Sequence, residues 1–244
     1  SLGARLYLPL PRAGFADHPR TEIRFAGPES LTVYYLGIPD TTPEFPTVAA
    51  LEAHLAARKW FKEEIERSSL KFRTDGAGNH SAFLACADKH APAFLIGSHL
   101  DSVPNGGRFD GALGVMAALE VLKTVRENGI RLMVNLEAID FTDEEGTLVG
   151  LLGSAALAGH LRQKDLESPR GGRENLAAGM KWAGLSDESM LSAARPKDSL
   201  AGYLELHIEQ GKRLEAADIF PTLPALPESA EGGCARIWYP GVKR

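Results

Sequence analysis

The sequence predicts an α/β fold, because short apolar segments typical of buried strands alternate with longer segments of helical periodicity. The alternation is clearest between residues 93 and 162, where two strand-like and two helical segments follow one another in turn. The composition agrees, since 44% hydrophobic and 24% charged residues are typical of a globular protein. Three polar clusters follow predicted strands, and the carboxyl ends of strands are where such sheets bind ligands.

The first part of the chain has no regular period. Residues 1–46 are rich in proline and are expected to form an irregular arm with one short strand at 31–36. A helix is predicted over 47–67, because its apolar residues recur at helical spacing. Two strands are predicted to follow at 70–73 and 82–86, joined by a turn rich in glycine.

The middle of the chain carries most of the predicted elements. Residues 219–244 contain several prolines and no sustained period, so they are expected to form a tail outside the folded domain of residues 47–218. The predicted elements between these limits are, in order, a strand at 93–96, a helix at 113–125, a strand at 132–141, helices at 154–162, 177–183 and 187–194, and a strand at 203–208.

Charge and composition exclude several function classes. A net charge of −5 and a pI near 5.8 give no electrostatic case for binding nucleic acid or an anionic membrane. No apolar run approaches the roughly 20 residues that span a bilayer. The two cysteines, Cys86 and Cys234, cannot form a disulfide framework, and the first 24 residues do not resemble a secretory signal. The sequence therefore predicts a cytoplasmic protein with no nucleic-acid or membrane partner.

The first polar cluster follows the strand at 93–96 and combines one imidazole with two carboxylates, His99, Asp101 and Asp110. Neutral imidazole and carboxylate are standard zinc ligands, and a histidine ligand commonly has an acidic partner. Side chains alternate along a strand, so Asp101 is placed to accept a hydrogen bond from the His99 ring or to lie beside it. The glycines of the loop permit a path that returns Asp110 towards His99. A surface loop with scattered acidic residues remains an alternative.

The second cluster is Asp143-Glu144-Glu145-Gly146, at the end of the predicted strand 132–141. Adjacent carboxylates repel each other unless a cation lies near them, and one of them can then bind metal while the other transfers protons. The alternative is an acidic helix N-terminus, which the helix dipole favours.

The third cluster lies in the predicted strand 203–208 and its end, where Glu205, His207 and Glu209 share one face. An exposed edge strand would give the same alternation of polar and apolar residues. Three clusters of His, Asp and Glu after three separate strands nevertheless favour one shared site over three unrelated surface features.

Together the motifs resemble the hydantoinase/carbamoylase branch of the dinuclear zinc amidohydrolases, within the aminoacylase/carboxypeptidase-like superfamily. That branch includes N-carbamoyl-L-amino-acid hydrolases, β-ureidopropionases and allantoate amidohydrolases. The resemblance implies a three-layer, zinc-exopeptidase-like catalytic domain with a mixed sheet. It also implies hydrolysis of C–N bonds other than peptide bonds, in a small carbamoyl or ureido amino acid. The motifs that carry it are Gly97–Gly111, Asp143–Gly146 with Gly153-Ser154, and Glu205–Gly211.

The resemblance also implies a pair of divalent metal ions, zinc with manganese or cobalt as alternatives. His99 and Glu145 would bind different ions, Asp110 would bridge the two, and His207 would complete one site. These ligand assignments follow from the resemblance and not from the spacing of the residues.

Three further residues receive roles from the same resemblance. Asp101 would orient His99, and Glu144 would be the general base that takes a proton from water and returns it to the departing nitrogen. Gln210 would contribute to substrate binding.

The chain also departs from the family pattern. Members of the branch are longer, with a dimerising lid domain after the third motif and a later segment that supplies a last histidine ligand. No histidine follows His207 in this sequence. The expectation is a truncated chain with an incomplete catalytic domain, lacking the lid that supports the family homodimer and selects the substrate. A truncated non-catalytic relative, or an incomplete gene model with at most weak metal binding, remains the alternative.

Overall fold

The computed structural model describes residues 48–88, 90–103, 109–208 and 235–238. These residues contain one six-stranded sheet, with the strand order β1-β2-β4-β3-β5-β6. The strand β3 pairs in parallel with β4 and with β5, and the remaining neighbours are antiparallel. The strands are β1 Lys71–Thr74, β2 His80–Leu84, β3 Ala93–His99, β4 Asn135–Phe141, β5 Leu200–Leu206 and β6 Ala235–Trp238.

Helices accompany the sheet in the described residues. None of them is both long enough and apolar enough to cross a membrane. They are α1 Val48–Arg67, α2 Ala112–Glu127, α3 Leu152–Leu157, α4 Gln163–Glu167, α5 Arg173–Ala183 and α6 Asp187–Leu191, with a 3₁₀ turn at Lys197–Ser199 before β5.

The largest apolar core lies between the sheet and the two long helices. Helix α1 contributes the fully buried Phe61 and Ile65, four residues apart on one helix face, and α2 contributes Val115 and Leu122. These side chains pack with Ala138 and its neighbours from the sheet. Burial of this apolar surface fixes α1 and α2 against the strands that lead to the polar clusters.

A second core lies on the other face of the sheet. Leu95 of β3 and Ile139 of β4 pack there with Leu157 of α3. Side chains that follow one another along a strand point to opposite faces, which explains why Ala138 and Ile139 belong to different cores. Helices α3 to α6 bury a smaller core of their own. The predicted α/β fold with a mixed sheet is therefore confirmed, with helices packed on both faces.

Some predicted boundaries were wrong. Strand β2 begins at His80 and ends at Leu84, because pairing with β4 extends it backwards. The side chain of Asn135 accepts a hydrogen bond from the Cys86 backbone, beyond the end of the ladder. Helix α3 ends at Leu157 instead of continuing to residue 162, since Gly159 adopts a positive φ of 71°.

Two observed elements were not predicted from the sequence, and one predicted strand lies outside the described residues. Helix α4 and strand β6 were not predicted, and β6 falls within the region 219–244 that was expected to be a tail. It pairs with β5 through a register that places Ala235 opposite Leu206. The strand predicted at 31–36 lies outside the described residues.

Two partly buried histidines, His54 and His80, are expected to make the folded chain less stable in acid. His54 Nε2 and His80 Nδ1 have no hydrogen-bond partner within the described part of the chain. Burial, reinforced by the charge of Arg58, lowers the pKa of His54 to about 4 and that of His80 to about 3. Both values lie below 6.5, so the unfolded chain binds more protons than the folded chain at pH 5. The contribution of these two histidines to stability is therefore complete above about pH 7 and decreases as the pH falls through 6.5 towards 4.

We expect the two groups to cost roughly 4 kcal/mol of unfolding free energy between pH 7.5 and pH 5. Urea unfolding at both pH values measures the loss. A His54→Gln/His80→Gln variant should show a smaller difference between the two pH values, whatever its stability at pH 7.5. An equal difference in variant and parent would show that these histidines do not cause the acid sensitivity.

Candidate metal centre

The three predicted polar clusters meet at one edge of the sheet. Strands β4, β3 and β5 are neighbours and run parallel, so their carboxyl ends lie side by side. His99 is the last residue of β3, the Asp143–Gly146 segment follows β4, and His207 follows β5. The fold therefore brings together residues that are more than a hundred positions apart in the sequence.

Three side chains form a compact group, which we call the ligand triad: His99, Asp110 and His207. One ligand atom from each lies within 4.8 Å of the others. His207 Nε2 lies 3.0 Å from Asp110 Oδ1, and His99 Nε2 lies 3.9 Å from the same oxygen. His99 is 1% exposed, whereas the His207 side chain is 18% exposed. Two imidazole nitrogens and a carboxylate oxygen at this spacing form a suitable donor set for one divalent metal ion.

Two glycines allow Asp110 to approach the end of β3. Gly111 adopts a φ of +66°, and a Cβ atom there would lie 2.4 Å from the carbonyl oxygen of His99. At Gly114, in the first turn of α2, a Cβ atom would lie 2.5 Å from the carbonyl oxygen of Leu206. Any side chain at either position would push α2, and Asp110 with it, away from the two histidines.

Asp101 connects the first cluster to the second. Its carboxylate accepts hydrogen bonds from the backbone N–H groups of Glu144, at 3.3 Å, and Glu145, at 3.0 Å. The Nδ1 atom of His99 lies 2.9 Å from the carbonyl oxygen of Asp101 and 3.6 Å from its carboxylate. A carbonyl oxygen can only accept, so Nδ1 of His99 carries the hydrogen. In the neutral ring Nε2 is then unprotonated and free to bind metal.

The two glutamates lie beside the ligand triad. Glu144 Oε2 is 3.7 Å from His99 Nε2, and the Glu144 side chain is 24% exposed. Glu145 Oε1 is buried and has no hydrogen-bond partner among the described residues. Burial raises the pKa of Glu144, and the charges of Asp101 and Glu205 raise it further. Burial also raises the pKa of Glu145, together with the charge of Asp110.

The site carries an excess of negative charge that favours a cation. Burial alone would lower the pKa of His99, but the hydrogen bond and charge of Asp101, with the charge of Glu144, raise it to about 9. A divalent cation would relieve the repulsion that raises the carboxyl pKa values, and it would give the buried Glu145 oxygen a partner. The residues present therefore fit a metal centre of nitrogen and oxygen ligands.

Six of the seven residues singled out from the sequence lie together in the described structure, and they are His99, Asp101, Asp110, Glu144, Glu145 and His207. Gln210 lies outside the described residues. Glu205, which the alternation placed on the face of His207, is largely buried and accepts a hydrogen bond from Ser98 Oγ at 2.5 Å.

Sequence reasoning missed a buried ion pair behind the site. Asp140 of β4 is fully buried; its Oδ1 accepts a hydrogen bond from the Leu100 backbone at 2.8 Å, and its Oδ2 accepts one from Arg58 Nε at 2.8 Å. The available signal was an acidic residue inside the apolar segment that precedes Phe141. Isolated charges inside strands require a partner, and that partner lies 82 positions away in α1.

Comparison with known proteins identifies a family and several individual proteins that are similar to this chain. The family model of peptidase family M20/M25/M40 matches residues 95–223, which include all three polar clusters. N-carbamoyl-L-amino acid amidohydrolase of Geobacillus stearothermophilus is 44% identical over 147 residues, covering 59% of this chain and 36% of that protein. Allantoate deiminase 2 of Glycine max is 36% identical over 177 residues, covering 70% of this chain and 36% of that protein.

Solved structures that are similar to this chain include amidases of the hydantoinase/carbamoylase family. A hydantoinase/carbamoylase family amidase from Burkholderia ambifaria superposes with a TM-score of 0.58 at 36% identity, covering 67% of this chain and 39% of that one. An amidase of the same family from Burkholderia phymatum superposes with a TM-score of 0.58 at 30% identity, covering 73% of this chain and 44% of that one. The chain spans less than half the length of each of these four proteins.

Proposed function

Because the chain belongs to peptidase family M20/M25/M40, and because its similar relatives are amidohydrolases, we propose that it carries a metal-dependent active site for hydrolysing C–N bonds. The proposed substrate is a small carbamoyl or ureido amino acid, and the bond is not a peptide bond. The observation that carries the proposal is the ligand triad, with Glu144 Oε2 lying 3.7 Å from His99 Nε2. A proton-transferring carboxylate beside a metal-binding group is what metal-assisted hydrolysis requires.

Two divalent ions, zinc with manganese or cobalt as alternatives, are part of the proposal. The ligand triad of His99, Asp110 and His207 would hold one ion, and Asp110 with Glu145 would hold the other. Glu145 Oε1, which has no hydrogen-bond partner in the described part of the chain, supports the second site. When bound, such ions polarise a substrate carbonyl and make a nearby water molecule more acidic.

Glu144 is the proposed general base. Its raised pKa brings it closer to neutrality than an ordinary glutamate, and its partial exposure lets it reach water and substrate. It takes a proton from the attacking water and returns it to the departing nitrogen. The C–N bond to the departing nitrogen then breaks and leaves a carbamic acid. Loss of CO₂ from this carbamic acid breaks the second C–N bond, so that the products are the amino acid, ammonia and CO₂.

Asp101 is the proposed orienting residue for the same step. Its carbonyl oxygen sets the His99 tautomer, and its carboxylate holds the backbone of Glu144 and Glu145 beside that ring. One residue thus fixes both the candidate ligand and the candidate base. The role of Gln210 in substrate binding stays a prediction.

Zinc content and hydrolysis of the purified 244-residue chain test the proposal. The chain, loaded with zinc, manganese or cobalt, is assayed for ammonia release from N-carbamoyl amino acids, ureidopropionate and allantoate. We expect about two ions per chain, as the resemblance to dinuclear enzymes implies. Release of ammonia from at least one of these substrates should be detectable but slow, because no histidine follows His207 to act as the family's last ligand.

The Glu144→Gln variant separates the base from the ligands. It should keep its zinc and lose about 10²- to 10⁴-fold in kcat, which is the usual contribution of a general base. Glu167→Gln, an exposed glutamate at the end of α4, is the matched control and should behave as the parent chain does. Zinc binding without turnover would instead support a non-catalytic relative, and an absence of zinc binding would overturn the proposal.

A further inference from the structure

The acidic loop, residues 142–153, leaves β4, carries Glu144 and Glu145, and enters α3. Its two ends are hydrogen-bonded to each other. Gly153 N donates to the carbonyl oxygen of Thr142 at 2.8 Å, and Leu151 N donates to that of Glu144 at 3.0 Å. The position of both glutamates therefore depends on how firmly this closed base is held.

The side chain of Asn79 joins the other two backbone groups at the base of the loop. Thr142 N donates to Asn79 Oδ1 at 2.9 Å, and Asn79 Nδ2 donates to the carbonyl oxygen of Gly153 at 3.0 Å. A side-chain amide offers one acceptor and one donor in a plane, as a peptide group does. Asn79 thus stands in for a second bond, between Thr142 N and the Gly153 carbonyl oxygen, beside the direct bond from Gly153 N to the Thr142 carbonyl oxygen.

Asn79 is itself fixed from the other side. Its second Nδ2 hydrogen is donated to Asp75 Oδ2 at 2.8 Å, and its backbone N–H is donated to Asp75 Oδ1 at 2.9 Å. The side chain is only 2% exposed, and a Cβ atom at Gly153 would lie 2.0 Å from its Oδ1. The amide therefore occupies one orientation, between Asp75 and the acidic loop.

We propose that Asn79 is a positioning residue for the metal centre, which holds the base of the acidic loop so that Glu144 and Glu145 face the ligand triad. Asp101 holds the backbone of the two glutamates, and Asn79 holds the two ends of the loop. The inference rests on the proposed function only for what the loop binds. The bonds that fix the loop exist without a metal.

The Asn79→Asp variant tests the role of the amide. Aspartate keeps the size and the acceptor of asparagine but cannot donate to Gly153, and its charge would face the Asp75 carboxylate in a buried site. Zinc affinity at the Glu145-dependent position should fall about 10- to 100-fold, the range for groups that orient a metal ligand. Binding by the ligand triad should change little, because its members lie at the ends of β3 and β5 and at the start of α2, and not on the acidic loop.

Asn135→Asp is the matched control. Asn135 is also buried, at 6% exposure, and it bridges two backbone groups in the same way, with Cys86 N donating to its Oδ1 and its Nδ2 donating to Ala91 O. It is the first residue of β4, at the opposite end of that strand from the acidic loop. The control should lose comparable stability to urea and keep the zinc affinity of the parent chain.

Hydrogen exchange gives a readout that needs no metal and no activity. In the parent chain, the Thr142 amide should be protected, and Asn79→Leu, which has a similar size but no acceptor for that amide, should remove the protection while Asn135→Leu leaves it. If Asn79→Asp and Asn79→Leu do not fold, the exchange rate of the Thr142 amide in the parent chain is the test. Slow exchange supports the proposal, and rapid exchange overturns it. Equal loss of zinc affinity in the two variants overturns it as well. If the parent chain binds no zinc, and Thr142 loses protection in Asn79→Leu but not in Asn135→Leu, the proposed function is refuted and this positioning role is supported.

Discussion

The Arg58→Met variant is expected to lose about 3–5 kcal/mol of unfolding free energy near pH 8, the cost of breaking a buried ion pair from one side. Arg58 Nε donates to Asp140 at 2.8 Å, and the Asp140 side chain is fully buried. The same guanidinium donates to the carbonyl oxygen of Gly78 at 2.6 Å and to Thr142 Oγ1 at 3.3 Å. Methionine retains the apolar stem but leaves these acceptors without their donor.

The loss should depend on pH, with a sign fixed by Asp140. Burial raises the pKa of Asp140 to about 6 even with the opposing charge of Arg58, whereas its ordinary value is 3.8. A raised carboxyl pKa means that the folded chain binds this proton more readily, so the contribution of Asp140 to stability is complete below pH 4 and decreases as the pH rises through 6. Without Arg58 this pKa rises further. The stability deficit of Arg58→Met should therefore grow between pH 5 and pH 8, as measured by urea unfolding.

Two further variants identify the cause. Arg58→Met/Asp140→Asn keeps an oxygen to accept the Leu100 N–H but removes the buried charge, so it should recover a large part of the deficit at pH 8. Arg162→Met removes an exposed arginine that pairs with Asp165, and it should cost less than about 1 kcal/mol. A double variant as unstable as Arg58→Met at pH 8 would show that the unpaired carboxylate is not the cause.

The sequence predicts the candidate site well because a simple rule connects local pattern to three-dimensional position. Carboxyl ends of adjacent parallel strands meet at one edge of a sheet, and β4, β3 and β5 obey this rule. His99 and the Glu144–Glu145 pair could therefore be grouped without knowing any distance. The rule needs only strand ends, and the apolar segments before them are easy to recognise.

The supporting hydrogen bonds could not be predicted in the same way. Asn79 lies in a segment whose composition indicates only a turn, yet its side chain contacts Gly153, 74 positions later. Arg58 lies on α1, where an arginine is an ordinary surface residue by pattern, and its partner is 82 positions away. Periodicity describes which face of an element is buried, but not which polar group meets another across the fold. Strand β6 was missed for a similar reason, since only its pairing with β5 defines it.

The largest effect on metal binding is expected from Asp110→Asn. Its Oδ1 lies close to both imidazoles, at 3.0 Å from His207 Nε2 and 3.9 Å from His99 Nε2. Loss of groups that only orient a ligand costs 10–100-fold in affinity, so loss of the charged ligand should cost at least about 100-fold. In the proposed centre Asp110 bridges both ions, and the variant should therefore lose both when zinc is titrated calorimetrically.

The Glu145→Gln variant tests whether the loss of both ions is specific to Asp110→Asn. Glu145 lies outside the ligand triad, so its variant should lose one ion and keep the other. Asp165→Asn, an acidic residue paired with Arg162 at the surface, controls for the change in net charge and should bind as the parent chain does. If Asp110→Asn kept both ions, the ligand triad would not be the metal centre.

The same variant should change stability in opposite directions with and without zinc. The charge of Asp110 raises the pKa of Glu145, which means that the two carboxylates repel each other in the metal-free chain. Removing one charge relieves that repulsion, so metal-free Asp110→Asn should melt no lower than the metal-free parent. Zinc should raise the melting temperature of the parent and not of the variant, since only a ligand that binds the folded state stabilises it. In the proposed centre the acidic site would thus lower stability until a cation is bound, as expected of residues selected for binding and not for folding.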